Sequence, residues 1–163
     1  MRTLLSHADW AATRLVMVLT AILVLVVSLE VFLRYIFNYS MIYSNELSRL
    51  CFVWIIFLTM PLGVAKGYHV GITMLDNVLK GAAVRAAFRL TVVLTIGLMG
   101  LVVVVSAQSV FDRRGEILST LPVPASIFFL PIVIGAVHSI LHLVVQLIDG
   151  ERPLRPDIAG EVS

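Results

Sequence analysis

The stretch VFLRYIFNYSMIYSNELSRLCFVWIIFLTMPLGVAKGYHVG, residues 31–71, decides the fold. It closes one apolar run, turns through a polar loop carrying Arg34, Tyr35, Glu46 and Arg49, enters a second apolar run and leaves through Lys66 and His69. Its charges occur only at the corners. That is the pattern of a membrane hairpin, two spans held at the bilayer surface by residues that hydrocarbon rejects.

Outward from this hairpin the rest of the chain has the same character. Of 163 residues, 60% are hydrophobic and 13% charged, and the mean hydropathy is +1.01. A water-soluble core of this size cannot hide so much apolar surface. A span takes about 20 apolar residues, and four such runs occupy residues 15–33, 45–65, 86–110 and 123–148. The expected fold class is an all-α membrane protein, one integral domain over residues 1–163 with four transmembrane helices. Residues 70–84 put Ile72, Leu75 and Leu79 on one side with Asp76 and Lys80 elsewhere, too short and mixed to span, and are expected as an amphipathic surface helix. The polar tail, residues 150–163 with Pro153 and Pro156, is expected to be disordered.

Several local features refine this outline. The first run ends in Glu30, Phe32 and Arg34 instead of a small-residue cleavage site, so it reads as a retained helix and not a signal peptide. Glu30 and Arg34 stand four apart with the acid first, the favourable order for a helical ion pair. In the second run, Ser44 or Asn45 can cap a helix whose first turn carries Glu46. Pro61 must free a carbonyl one turn back, which in a membrane needs a partner from a neighbouring helix or water. Glycines at 63, 67 and 71 have the spacing of a close helix contact. The fourth run carries Pro131 within its helical pattern. Counting Lys and Arg over four spans puts eight on the side of the N-terminus and four on the other, so both termini are expected in the cytoplasm.

Composition and motifs exclude several function classes. The net charge is +2, with the basic residues spread over several loops, unlike a nucleic-acid surface. Cys51, the single cysteine, has no partner for an intramolecular disulfide and reads as a small packing residue. No nucleophile with a base, paired carboxylates or phosphate-binding loop has usable spacing, so no catalytic residue and no ATP-driven step are expected. His138 and His142, four apart on one face of the fourth helix, are the best metal or haem candidates. As ordinary packed or interfacial histidines they imply no cofactor and no metal; as ligands they would make the chain a redox membrane anchor. Glu30, an acid within an apolar run, is a membrane anchor paired with Arg34 or the coupling site of a self-contained small proton-coupled exporter.

The order Arg34-Tyr35, Phe37-Asn38, Asn45-Glu46-Leu47, Arg49, Phe52-Val53-Trp54 and His69 resembles the small membrane subunit of tripartite ATP-independent periplasmic (TRAP) transporters. The likeness covers about forty residues by motif and nearly the whole chain by its four-span layout. Departures are Ile42-Tyr43-Ser44-Asn45, where that family usually has a tryptophan and often two acids, and Thr59-Met60-Pro61 in place of small residues. The resemblance implies a bacterial inner-membrane subunit that works with a large multi-span permease and a periplasmic substrate-binding protein in sodium-gradient-driven uptake of organic acids. It also implies that Arg34, Tyr35, Glu46, Arg49, Trp54 and His69 belong to a partner interface.

Overall fold

The computed structural model describes residues 2–65 and 82–149. Among them are four long helices: α1 (Arg2–Phe37), α2 (Ser44–Ala65), α3 (Ala82–Asp112) and α4 (Leu130–Asp149), the last preceded by a 3₁₀ turn, Ala125–Phe128. All four carry segments long and apolar enough to cross a membrane, Leu5–Phe37, Ser44–Ala65, Ala86–Asp112 and, with the 3₁₀ turn, Ala125–Ile148. The chain is an all-α, multi-pass membrane protein. The surface helix expected over residues 70–84 falls almost wholly outside the described residues, and its positions 82–84 form the start of α3. His69, Gly67, Gly71 and the tail also lie outside them.

The first helix begins well before its apolar run. Arg2 to Arg14 joins α1, because nothing in that segment breaks a helix and its polar residues can sit at or beyond the bilayer surface. At 1.5 Å per residue, 36 residues extend about 54 Å, against roughly 30 Å of hydrocarbon. The helix stops at Asn38, whose φ of 51° lies in the left-handed region that asparagine tolerates better than most residues. There the Tyr39 N–H turns back to the Leu33 carbonyl at 3.2 Å.

The helices lie in a row, α1 against α2, α2 against α4, and α4 against α3. Hydrophobic burial therefore concentrates on the two middle helices and the faces turned toward them. Val64 of α2, Phe88 and Val92 of α3 and Leu143 of α4 form one buried cluster, with Ile96, Met99 and Leu147 packed on it. Among the described side chains of α1 only Ala12 and Val26 are buried hydrophobics, while Leu15, Val18, Val24, Leu25, Phe32 and others are exposed. In a membrane such surface meets lipid or another helix without penalty.

The parallel seam between α2 and α4 is organised by two prolines. Pro61 has no N–H for the carbonyl of Phe57, and Gly135 of α4 is packed so closely there that an added Cβ would overlap the Phe57 oxygen. Absence of a side chain is what lets the two backbones meet. Pro131 likewise offers no N–H to Ile127, and the Trp54 indole supplies one at 3.2 Å. Pro131 sits in the first turn of α4, where its missing donor belongs to the set a helix leaves unpaired anyway, and not in the helix interior that the sequence pattern suggested. Farther along, Gln146 Nε2 donates to the Val64 carbonyl at 2.8 Å, one of the last-turn carbonyls that need an outside donor.

Candidate functional site

Two groups of side chains stand apart from simple helix packing, one at each end of the row. At the loop end, residues 38–43 and 113–124 lie between spans. The second loop is folded on itself: Ile117 bridges Pro124, the Leu118 N–H meets the Val123 carbonyl at 3.0 Å, and the Ala125 N–H meets the Glu116 carbonyl at 2.7 Å. This turns three successive N–H groups toward the start of α2. Glu46 accepts from Ser119 (3.2 Å), Thr120 (2.9 Å) and Leu121 (3.1 Å), and from the Thr120 hydroxyl at 2.5 Å. A carboxylate so seated in a nest of backbone donors fixes both partners in position.

Glu46 is thus held within the chain and not by Arg49. The Arg49 guanidinium lies 5.4 Å from the centre of the Phe128 ring, while Arg113 lies 5.6 Å from that of Phe129 and reaches Glu116 at 3.2 Å. Such cation–aromatic contacts couple the corners of α2 and α3 to the 3₁₀ turn and its neighbour. Ser44, one of the two candidate helix caps with Asn45, instead donates its hydroxyl to the Met41 carbonyl at 2.8 Å and is itself buried. Its carbonyl-seeking hydroxyl closes the tight turn before α2 and leaves the helix N-terminus uncapped by Ser44. Glu30 pairs with Arg34, as their spacing predicts. Tyr35 and Ile42 are the most exposed large hydrophobic side chains described at this end, at 80% and 78%, and Phe37, Tyr39 and Tyr43 are exposed beside them.

Of the six residues assigned to a partner interface, then, Arg34, Tyr35, Glu46, Arg49 and Trp54 all lie at or near the loop end. Among the five that are described, Tyr35 is largely exposed, while Glu46 and Trp54 reach elements more than seventy residues away. His69 lies outside the described residues.

At the opposite end, near the chain termini, His138 and His142 of α4 face Asp9 of α1. Their Nε2 atoms stand 3.0 and 2.9 Å from the same oxygen, Asp9 Oδ1, and their ring centres are 5.0 Å apart. The sequence singled out the two histidines but not Asp9, one of several mixed residues ahead of the first apolar run. The signal available was its place on the helical extension of the first run. Both rings turn their Nε2 edge to a carboxylate, unlike axial haem ligands facing each other across a bundle. A groove of about 770 Å³, lined by apolar residues including Leu5, Ala12, Leu58 and Val137, adjoins His138.

Between these ends the spans offer little polar chemistry. Thr13, Thr20, Thr59, Thr91, Thr95, Ser109 and Ser139 each return their hydroxyl to the carbonyl four residues earlier in the same helix. Spent in this way, those groups line no path through the layer.

Comparison with known proteins agrees with this architecture. Residues 23–152 match the family described as tripartite ATP-independent periplasmic transporters, DctQ component. A protein of Haemophilus influenzae, assigned as a TRAP transporter small permease protein, is 35% identical over 77 residues, covering 47% of this chain and 48% of that relative. The matched region therefore spans about half the length of the relative. With the family match running from the first helix through the last, the chain belongs to the DctQ family of TRAP transporter small permease components.

Proposed function

We propose that this chain is a non-conducting small membrane subunit that braces a large multi-span permease in a bacterial inner membrane and helps dock a periplasmic substrate-binding protein. Uptake is driven by a sodium gradient, and the substrates are organic acids. The observation that carries the reading is that the described spans show no polar route: the seven hydroxyls named above are turned back onto their own helices. An anionic substrate would lose its water shell in such a layer without charged replacements, at a cost of several kcal/mol or more. The exposed apolar face of α1 is the surface offered to the permease. With both termini in the cytoplasm, the loop end carrying Arg34, Tyr35 and Arg49 faces the periplasm and the binding protein, and Glu46 and Trp54 hold that end in shape.

Proteoliposomes containing this subunit alone, the large subunit alone, or both, each with the cognate binding protein and an imposed sodium gradient, test the reading. Only the pair should accumulate substrate efficiently. Gradient-driven uptake by this chain alone would overturn it and return Glu30 to the centre of the mechanism.

A further inference from the structure

We propose that Asp9, His138 and His142 form a site for a divalent transition-metal ion of the zinc class, clamping the terminal end of α1 to α4. Histidines at positions i and i+4 put two imidazoles on one helix face, and here both converge on a carboxylate from another helix. The three candidate donor atoms lie within 4.8 Å of one another. Tetrahedral zinc with bonds of about 2.0–2.1 Å requires donor separations of roughly 3.3–3.4 Å, so the two histidine–aspartate distances of 2.9 and 3.0 Å need open by only a few tenths of an ångström. One carboxylate and two neutral imidazoles are a donor set suited to zinc and its neighbours. Water would complete the coordination.

A second observation separates this from a simple hydrogen-bonded triad. His142 Nε2 is in hydrogen-bonding geometry with Asp9 Oδ1, but His138 Nε2 is buried and has no hydrogen-bond partner, although it stands 3.0 Å from the same oxygen. A buried polar atom left in that condition calls for a group to satisfy it. A cation among the three atoms supplies one, by accepting the lone pair of each ring nitrogen and one from the carboxylate. The site also lies where a clamp has an effect: α1 is at the edge of the row and packs mainly on α2, so a metal bridge would add a direct bond from it to α4.

The test uses the full chain, purified in detergent with a tag that contains no histidine. Co²⁺ is titrated into metal-free protein and read by its visible absorption, then displaced with Zn²⁺, whose bound stoichiometry is read by elemental analysis. One equivalent per chain is expected, with the intense absorption of a low-symmetry four-coordinate site. Asp9→Asn, His138→Gln and His142→Gln should each weaken binding at least tenfold, and Zn²⁺ should raise the melting midpoint of the parent chain but not of the variants. Absence of stoichiometric binding by the parent chain overturns the proposal whether or not any variant folds, and so does unchanged binding by a folded His138→Gln/His142→Gln double variant.

Discussion

Trp54 donates its indole N–H to the Ile127 carbonyl across 3.2 Å, the carbonyl for which Pro131, four residues on, has no donor. The bond closes a gap that proline opens, and it joins helices that are not neighbours in sequence. Trp54→Phe keeps most of the ring and removes the donor. It should destabilise the isolated subunit by about 0.6–2 kcal/mol, the range of hydrogen bonds between membrane helices. Reversible unfolding in mixed micelles measures this, and an unchanged midpoint would remove the bond from the account of the seam.

Gly135→Ala tests the other half of the seam. The new methyl group meets the Phe57 carbonyl, and α2 and α4 must separate to admit it. A loss of about 1–3 kcal/mol is expected, as for other overpacked sites, with weaker co-purification of the large subunit. Gly63→Ala is the control, because a Cβ there meets nothing within 4 Å. Equal effects of the two substitutions would contradict the close contact.

Replacing Glu46 by Ala removes the acceptor shared by Ser119, Thr120 and Leu121. Hydrogen exchange at those three amides should accelerate at least tenfold while the middle of α3 stays protected, since the loop would lose its anchor before the helices loosen. If the loop does orient a docking surface, substrate uptake by the assembled transporter falls as well. Arg49→Ala, which removes the contact with Phe128, should lower uptake without changing exchange at the three amides. Unaltered exchange in the Glu46 variant would show that the carboxylate does not hold the loop.

Orientation has its own measurement. In a background with Cys51 replaced by Ser, cysteine at Ser40 should react with a membrane-impermeant reagent added from the periplasm, and cysteine at Ser6 should react only after the membrane is opened. Both native positions are exposed, so access to the reagent depends on sidedness. The opposite pattern would invert the topology argued from the distribution of Lys and Arg.

The sequence made legible what is local and periodic. Apolar runs announced four helices, the spacing of Glu30 and Arg34 announced their pair, and Pro61 announced a carbonyl in need of company. The identity of each distant partner was not legible. Glu46 read as an acid in the first turn of a helix, and its acceptor role depends on a loop more than seventy residues downstream turning its amides inward. Asp9 was hidden for another reason: it precedes the apolar run, and only the continuation of α1 back to Arg2 brings it beside His142, 133 residues away in sequence.

The spacing of the α2 and α4 seam along the chain also sets an order of assembly. Trp54 is separated from Ile127 by 73 positions, and all of α3 is made between them. During synthesis α2 therefore enters the bilayer with its indole donor and the Phe57 carbonyl awaiting partners that the ribosome has not yet released. A chain interrupted before the 3₁₀ turn would have three apolar helices but no seam, a natural object for membrane proteolysis. Completion of the last helix is therefore the event that closes the seam and gives both waiting groups their partners.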